Sequence, residues 1–268
     1  MAHPQQLTYI STLATHLSSD FKEAKILEIG SYNVNGTIRD FFTGSDYIGT
    51  DLIEGPGVDL VADGHLINHE DNTYDITISC ECFEHNPYWL ETFLNMYRMT
   101  KAGGIVVFTC ATRGRLEHGT RRTSPDLSPG TQDIGWDYYR NLLAKDFIDG
   151  VNLDDLFDTH LFLTNGDSKD LFFIGTKKGG QNKFNFDKDR FLIEYEQDQR
   201  KLRESRSFKA KLYDTVKSFV LLPTIIASYL PEQHFQTISV FYINSIRFFT
   251  TSIRKFVKSS SKPAPPQP

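Results

Sequence analysis

Residues 25–36, Lys-Ile-Leu-Glu-Ile-Gly-Ser-Tyr-Asn-Val-Asn-Gly, leave few folds open to this chain. Ile26, Leu27 and Ile29, with Glu28 between them, read as a short buried strand. Gly30 and Gly36 allow a turn and a close backbone approach that a side chain would block. Residues 37–42 are expected to start a helix. A strand, a glycine turn and a helix form a cradle for a nucleotide-like ligand at the carboxyl end of a parallel sheet. The spacing here is Gly-x5-Gly, which fits the dinucleotide fingerprint poorly. A buried strand can also end in glycine for structural reasons alone.

The rest of the chain repeats that grammar. Residues 4–20 have Leu7, Ile10, Leu13, Ala14 and Leu17 at helical spacing. Short strands are expected at 46–51, 58–62, 73–79 and 105–110, and an amphipathic helix at 89–100 carries Trp89, Phe93, Met96 and Tyr97. A polar loop follows over 113–132, then a helix over 137–147. Strands at 156–164 and 171–176 are expected to pair as a hairpin through Asn165-Gly166. Strands alternating with helices and ending in a hairpin indicate an open, doubly wound α/β sheet, mostly parallel, with one antiparallel strand at its edge.

At 268 residues the chain can hold one large domain, or one domain with an appendage. Residues 1–181 carry 14 Lys+Arg against 26 Asp+Glu, a net of −12, whereas 182–268 have a net of +7. An acidic front and a basic back imply two parts with different surroundings. No cationic segment leading into an apolar run and a small-residue cleavage site opens the chain, and the odd number of cysteines, Cys80, Cys82 and Cys110, lies in strand-like runs. Both features point to reduced structural thiols and a cytoplasmic setting. Cys80-x-Cys82 lacks zinc-site spacing.

Three carboxylates fall at the ends of successive strands. Asp51 lies 21 residues beyond Gly30, where an acidic residue reaches a ribose in doubly wound folds. Asp63, followed by Gly64, could accept from an exocyclic adenine amine, and Glu81 faces the same crevice. Alone, Asp51 could be a strand-end turn residue; in register with Gly30, Asp63 and Glu81 it points to a cofactor site.

These stretches resemble the class I S-adenosylmethionine-dependent methyltransferases. The matching pieces are Ile26-Leu27-Glu28-Ile29-Gly30, Tyr47-Ile48-Gly49-Thr50-Asp51-Leu52, Val61-Ala62-Asp63-Gly64, Tyr74-Asp75-Ile76-Thr77-Ile78-Ser79, Glu84-His85 and Lys101-Ala102-Gly103-Gly104, over roughly 24–178. The first loop, with Gly55-Pro56-Gly57-Val58-Asp59, looks most like small methyltransferases of surface-glycan biosynthesis. It departs from the family at Tyr32 and Val34, where glycines usually sit. The resemblance implies a Rossmann-like fold, S-adenosyl-L-methionine as cofactor, and cofactor-binding roles for Glu28, Gly30, Gly36, Asp51, Asp63, Gly64 and Glu81. It also implies in-line methyl transfer with no metal required, to a small-molecule or glycan acceptor.

A hydroxyl acceptor needs a general base. His85 is the first candidate and His118, on the loop after the fifth strand, the second, since imidazole titrates near neutrality. Against these stand a packed His85 beside Asn86-Pro87 and a solvated loop His118. Trp136, Tyr138 and Tyr139 with Arg140 could wall a sugar site or simply face a helix core.

The chain divides, on this reading, into a methyltransferase domain at 1–181, a helical basic extension at 182–258 and a disordered tail at 259–268. Residues 187–206, where Glu194, Glu196 and Asp198 precede Arg200, Lys201 and Arg203, are expected to form an exposed helix, and 208–222 a second helix. The apolar run 219–230 is too short to span a membrane and holds Pro223. A stripe of Phe235, Ile238, Tyr242, Ile246, Phe249, Ile253 and Phe256, with Arg247, Arg254, Lys255 and Lys258 near its end, suits a helix packed on protein or one lying in a membrane surface through 208–258. The second case would put the protein at the inner face of the membrane. No aromatic stacking motif interleaves these charges, so nucleic acid is not indicated. Two rival readings are a short-chain dehydrogenase, for which Tyr97-x3-Lys101 comes too early, and a methyltransferase fold kept as a binding or membrane-docking module.

Overall fold

The computed structural model describes residues 2–17 and 21–260, with 247–260 through the backbone alone. α1 (Pro4–His16) leads into β1 (Lys25–Ile29), β2 (Asp46–Asp51), the two-residue β3 (Leu60–Val61) and β4 (Tyr74–Cys80). α2 (Trp89–Met99) runs into the long β5 (Thr100–Ala111), and three short helices follow: α3 (Pro129–Asp133), α4 (Ala144–Gly150) and α5 (Leu153–Leu156). β6 (Phe157–Asn165) and β7 (Asp170–Lys177) complete the strands. α6 (Lys188–Ser205), α7 (Phe208–Val220), α8 (Leu222–Ala227) and α9 (Glu232–Ser260) close the described chain.

The strands form one sheet in the order β3-β2-β1-β4-β5-β7-β6, with parallel pairing throughout β3 to β5. This is the expected Rossmann-like α/β sheet with its terminal hairpin and helical C-terminal region. The antiparallel strand is not at the edge, however: β7 slots between β5 and β6 and runs antiparallel to both. Leu171, Phe172, Phe173 and Ile174 are all buried, between a strand on either side and the helix-covered cores of both faces.

Alternate residues feed two cores. Ile26, Ile76, Ile78, Val107 and Phe172 meet α1 and α6 on one face, while Leu27, Ile29, Val106, Phe108 and Phe173 meet α2 and α4 on the other. The boundary expected at 181 thus precedes a helix of the sheet's own layer, since Phe191 and Tyr195 of α6 are buried against Tyr9 of α1.

Four local expectations change. Between β1 and β2 only a 3₁₀ turn, Arg39–Phe42, forms. Gly44 follows it at φ +87°, and β2 begins two residues later, leaving no length for an α-helix. The helix expected at 137–147 starts at Ala144 instead. Residues 140 and 142 are drawn off into backbone hydrogen bonds, Arg140 N–H to Glu84 O and Leu142 N–H to Ala111 O, both 2.9 Å. Asn165 does not sit in a two-residue turn; its Oδ1 accepts from the Asp167 and Ser168 amides, and 166–169 make the turn. The 58–62 strand shrinks to Leu60–Val61, an exposed edge. Of the tail expected from 259, residues 261–268 lie outside those described.

Candidate active site

The carboxyl ends of β1, β2 and β4 open on one cleft. Every residue to which the resemblance gave a cofactor role lines it, as does His85; His118 does not.

The first loop is shaped by contacts rather than by a helix end. Gly30 has φ +85°, and a Cβ there would stand 2.8 Å from the Cβ of Cys82. The chain can therefore turn only if this residue has no side chain. A Cβ on Gly64 would meet Ile29 Cγ2 at 2.7 Å and Thr92 Cγ2 at 2.8 Å. Tyr32, in a place where the family carries glycine, lays its ring against Gly55, whose missing Cβ makes the room. Asn33 Oδ1 accepts from the Gly36 amide at 2.7 Å and closes the loop.

Asp51 serves loop and cleft together. Its Oδ2 accepts from the Tyr32 amide at 3.0 Å and its Oδ1 from the Leu52 amide at 2.7 Å. Burial pushes its carboxyl above the usual range, and those two amides pull it back in part. Each oxygen keeps a second lone pair for a ligand hydroxyl. Asp63 Oδ1 lies 2.7 Å from His65 Nδ1, and the His65 ring stacks on Tyr88 at 4.1 Å. Glu28 accepts from the Tyr47 hydroxyl at 2.8 Å, and burial raises its pKa to about 7 against that bond.

Glu81 stands at φ +52°, a conformation a non-glycine residue rarely holds. Its Oε1 accepts from Thr109 Oγ1 at 2.9 Å, and its Oε2 lies 3.7 Å from His3 and 3.9 Å from Arg115. Asp170 joins them, 3.0 Å from His3 and 3.2 Å from Arg115. Burial alone would raise Glu81, but the facing His3 and Arg115 charges win and hold it at about 2. His3 in turn rises to about 9: burial opposes its charge, and Asp170 and Glu81 overcome it. The Glu81 carboxylate is thus committed to an internal ion network at the cleft wall.

The two candidate bases meet. The His85 and His118 rings pack edge to face at 5.0 Å, with Tyr139 against both. Burial drives His85 well below its usual pKa and takes His118 to about 4. Burial thus favours the neutral form of both imidazoles. Beside them Glu84 is fully buried, neither carboxylate oxygen has a hydrogen-bond partner among the described residues, and burial raises it to about 8. Of the expected aromatic wall, Trp136 lines the cleft; Arg140 is turned to Asp146 at 2.5 Å, and the Tyr139 hydroxyl donates to Asn141.

Sequence reading missed the segment before α1 and the start of α3. Ala2 and Asn35 exchange hydrogen bonds of 3.0 and 3.1 Å, bringing Ala2 and Gln6 to the cleft. Gly130 lies so near Asp51 that a Cβ there would be 2.9 Å from Oδ1. Ser128-Pro129-Gly130 carries a turn signal that could have marked this approach; Ala2 carries none.

Residues 41–108 match a family model described as a methyltransferase domain, so the match begins beyond the first glycine loop. S-adenosyl-L-methionine is the cofactor that goes with that domain. No curated protein matches the chain. Among solved structures, the chain is similar to the CurJ carbon methyltransferase at 15% identity and TM-score 0.41, covering 60% of this chain and 50% of that one. It is similar to the Burkholderia thailandensis 1,6-didemethyltoxoflavin-N1-methyltransferase, solved with S-adenosylhomocysteine, at 13% identity and TM-score 0.44, covering 64% and 77%. It is similar also to the [4+2]-cyclase SpnF at 11% identity and TM-score 0.45, covering 65% and 81%. The chain thus spans half the length of the first of these.

Proposed function

We propose that this methyltransferase-domain protein moves a methyl group from S-adenosyl-L-methionine to an oxygen of a sugar or lipid-linked glycan. The observation that carries the reading is the convergence of Gly30, Asp51, Asp63 and Gly64 on one cleft at the ends of parallel strands. The residues fit the cofactor. The Gly30 and Gly64 positions admit no Cβ, and Asp51 is fixed by two backbone amides with acceptor capacity left over. Asp51 would hold the ribose hydroxyls, Asp63 the adenine amine, and Glu28 with the 30–36 loop the methionine end. Bound there, the cofactor supplies an electrophilic methyl group. This chain's part is to align it with the acceptor, and alignment of two bound reactants is worth a large effective concentration. His85 and Trp136 line the same cleft and are assigned to the acceptor end.

The glycan acceptor rests on the resemblance of the first loop, with Trp136 as a surface for a sugar face. The exposed C-terminal helices supply the lipid-linked part: Phe208, Leu212, Val216 and Phe219 form an unburied stripe on α7, beside exposed Lys209, Lys211 and Lys217. An apolar stripe edged by lysines suits the anionic face of a membrane. Among the described residues no helix is long and apolar enough to cross one.

Calorimetric titration with S-adenosylhomocysteine tests the core of the reading. Wild type should bind, and Asp51→Ala should lose ~2 kcal/mol, typical of hydrogen bonds to a charged group. Absence of binding by the wild type would remove the methyl-transfer reading altogether.

A further inference from the structure

We infer that Glu84, His85 and His118 form a binding site for a first-row divalent cation, set against the acceptor end of the cleft. The three side chains come from two segments, the 3₁₀ turn Phe83–His85 after β4 and the loop after β5. One donor atom from each lies within 4.8 Å of the others, and all three residues are buried.

The donors are presented as a cation needs them. His118 Nδ1 faces the Leu116 carbonyl at 3.1 Å, which fixes the proton there and leaves the Nε2 lone pair outward. His85 makes a backbone contact with Tyr138, while its Nδ1 is buried without a partner. Metal-binding histidines are held in this way, one ring nitrogen on a backbone carbonyl and the other on the ion. Glu84 is the stronger sign. A buried carboxylate with no donor on either oxygen must be neutralised, by a proton or by a cation. The neighbouring His3–Glu81–Asp170 group also has ligand-type atoms in reach, but Arg115 and His3 already balance its charge. Among the described residues, Glu84 has no such counter-ion within hydrogen-bonding reach.

Two imidazole nitrogens and one carboxylate oxygen select manganese, iron, cobalt or zinc over magnesium or calcium. Ligands on one such ion stand ~3–4 Å apart, so small side-chain rotations bring these three onto it. Three protein ligands leave coordination positions open, and His85 forms the wall shared with the cleft. An acceptor oxygen could fill one of them. That role rests on the methyl-transfer reading, while the cation site itself does not. A cation there would also lower the pKa of a bound hydroxyl. The inference departs from the expectation that no metal is needed.

The test uses the full chain, stripped with chelator and dialysed against Mn²⁺. Wild type should retain ~1 equivalent, with nitrogen couplings from imidazole in the electron spin echo. Glu84→Gln and His118→Ala should each weaken retention ~10-fold or more, while S-adenosylhomocysteine affinity stays near wild type. Retention in both variants unchanged from wild type, or no stoichiometric Mn²⁺ in the wild type, would overturn the inference. If a variant fails to fold, the wild-type stoichiometry and nitrogen couplings still decide. S-adenosylhomocysteine binding without metal retention would remove the cation and leave the methyltransferase reading standing.

Discussion

At Glu28 a carboxylate lies on a buried strand with one hydroxyl, that of Tyr47, for company. Its folded pKa of about 7 stands above the ordinary carboxylate value, so the folded state holds a proton that the unfolded chain has already released. Wild-type stability should therefore fall as pH rises from the usual carboxylate range through 7. Glu28→Gln should remove a fall on the order of 1–3 kcal/mol, read from urea midpoints at pH 5 and 8. Gly30→Ala belongs to the same scale. A φ of +85° and a Cβ at 2.8 Å from Cys82 leave it no relaxed position, so it should destabilise the fold by roughly 1–3 kcal/mol and abolish S-adenosylhomocysteine binding. Circular dichroism melts and titration check both parts; a melt equal to wild type would mean that the loop yields. Gly30, Asp51 and Asp63 were legible because strand ends are local, and residue type there is dictated by turn geometry and acceptor chemistry. The place of Tyr32 was not legible, since the glycine that makes room for it is Gly55, beyond a whole strand. Nor was the meeting of Glu84, His85 and His118, which depends on the path of a long loop.

Among the elements, the segment before α1 has the most to lose. His3, at the start of that helix, sets Nδ1 3.3 Å from Gln5 Oε1 and turns Nε2 toward Asp170 and Glu81. It thereby ties α1 to β7 and to the end of β4. Its raised pKa sets the sign: the contribution is complete below the free histidine value, declines above it, and is gone once pH passes about 9. His3→Ala should lower stability by on the order of 2 kcal/mol at pH 6 and by little at pH 10, measured by denaturant unfolding at each pH. A mutant deficit that does not shrink with pH would assign His3 to packing. Periodicity located α2 within a residue, because it presents one apolar face to the sheet; α6 was marked by its alternating charges as an exposed helix, but Phe191 and Tyr195 turn one face of it into the core. It misplaced the 37–42 and 137–147 helices, because in both the backbone is claimed from outside: by the early start of β2 in one, by Glu84 O and Ala111 O in the other. The interior position of β7 could not be read from local pattern, since a buried hydrophobic run looks the same in an edge hairpin and inside a sheet.

Over the whole molecule, the division expected at 181 cuts α6 from the sheet it covers, and the helices after α6 are unevenly buried. Phe208, Phe219, Tyr229 and Phe241 are 79, 74, 79 and 76% exposed, whereas Phe235 is 1% exposed. The expected stripe on α9 is therefore split: its first member is buried, and Ile238 is open. Arg247, Phe249, Ile253, Arg254, Lys255, Phe256 and Lys258 fall where no side chain is described. If the open face meets lipid, the protein should float with anionic vesicles and not with neutral ones. Each lysine should contribute roughly 1 kcal/mol at low salt, and a Phe208→Glu, Phe219→Glu double variant should stay at the bottom of the gradient. Unchanged flotation of that variant would sink the idea. The attachment of these helices has a consequence of its own. Gln236 accepts from the Glu117 amide and donates to the Arg115 carbonyl, both at 3.0 Å, and Glu232 accepts from the Asn141 amide at 3.2 Å. α9 is thus geared to the loop that carries His118. If a surface that steadies α9 tightens what that loop grips, a ligand gripped by the loop strengthens the hold on the surface by the same factor, since coupling between two sites runs equally both ways.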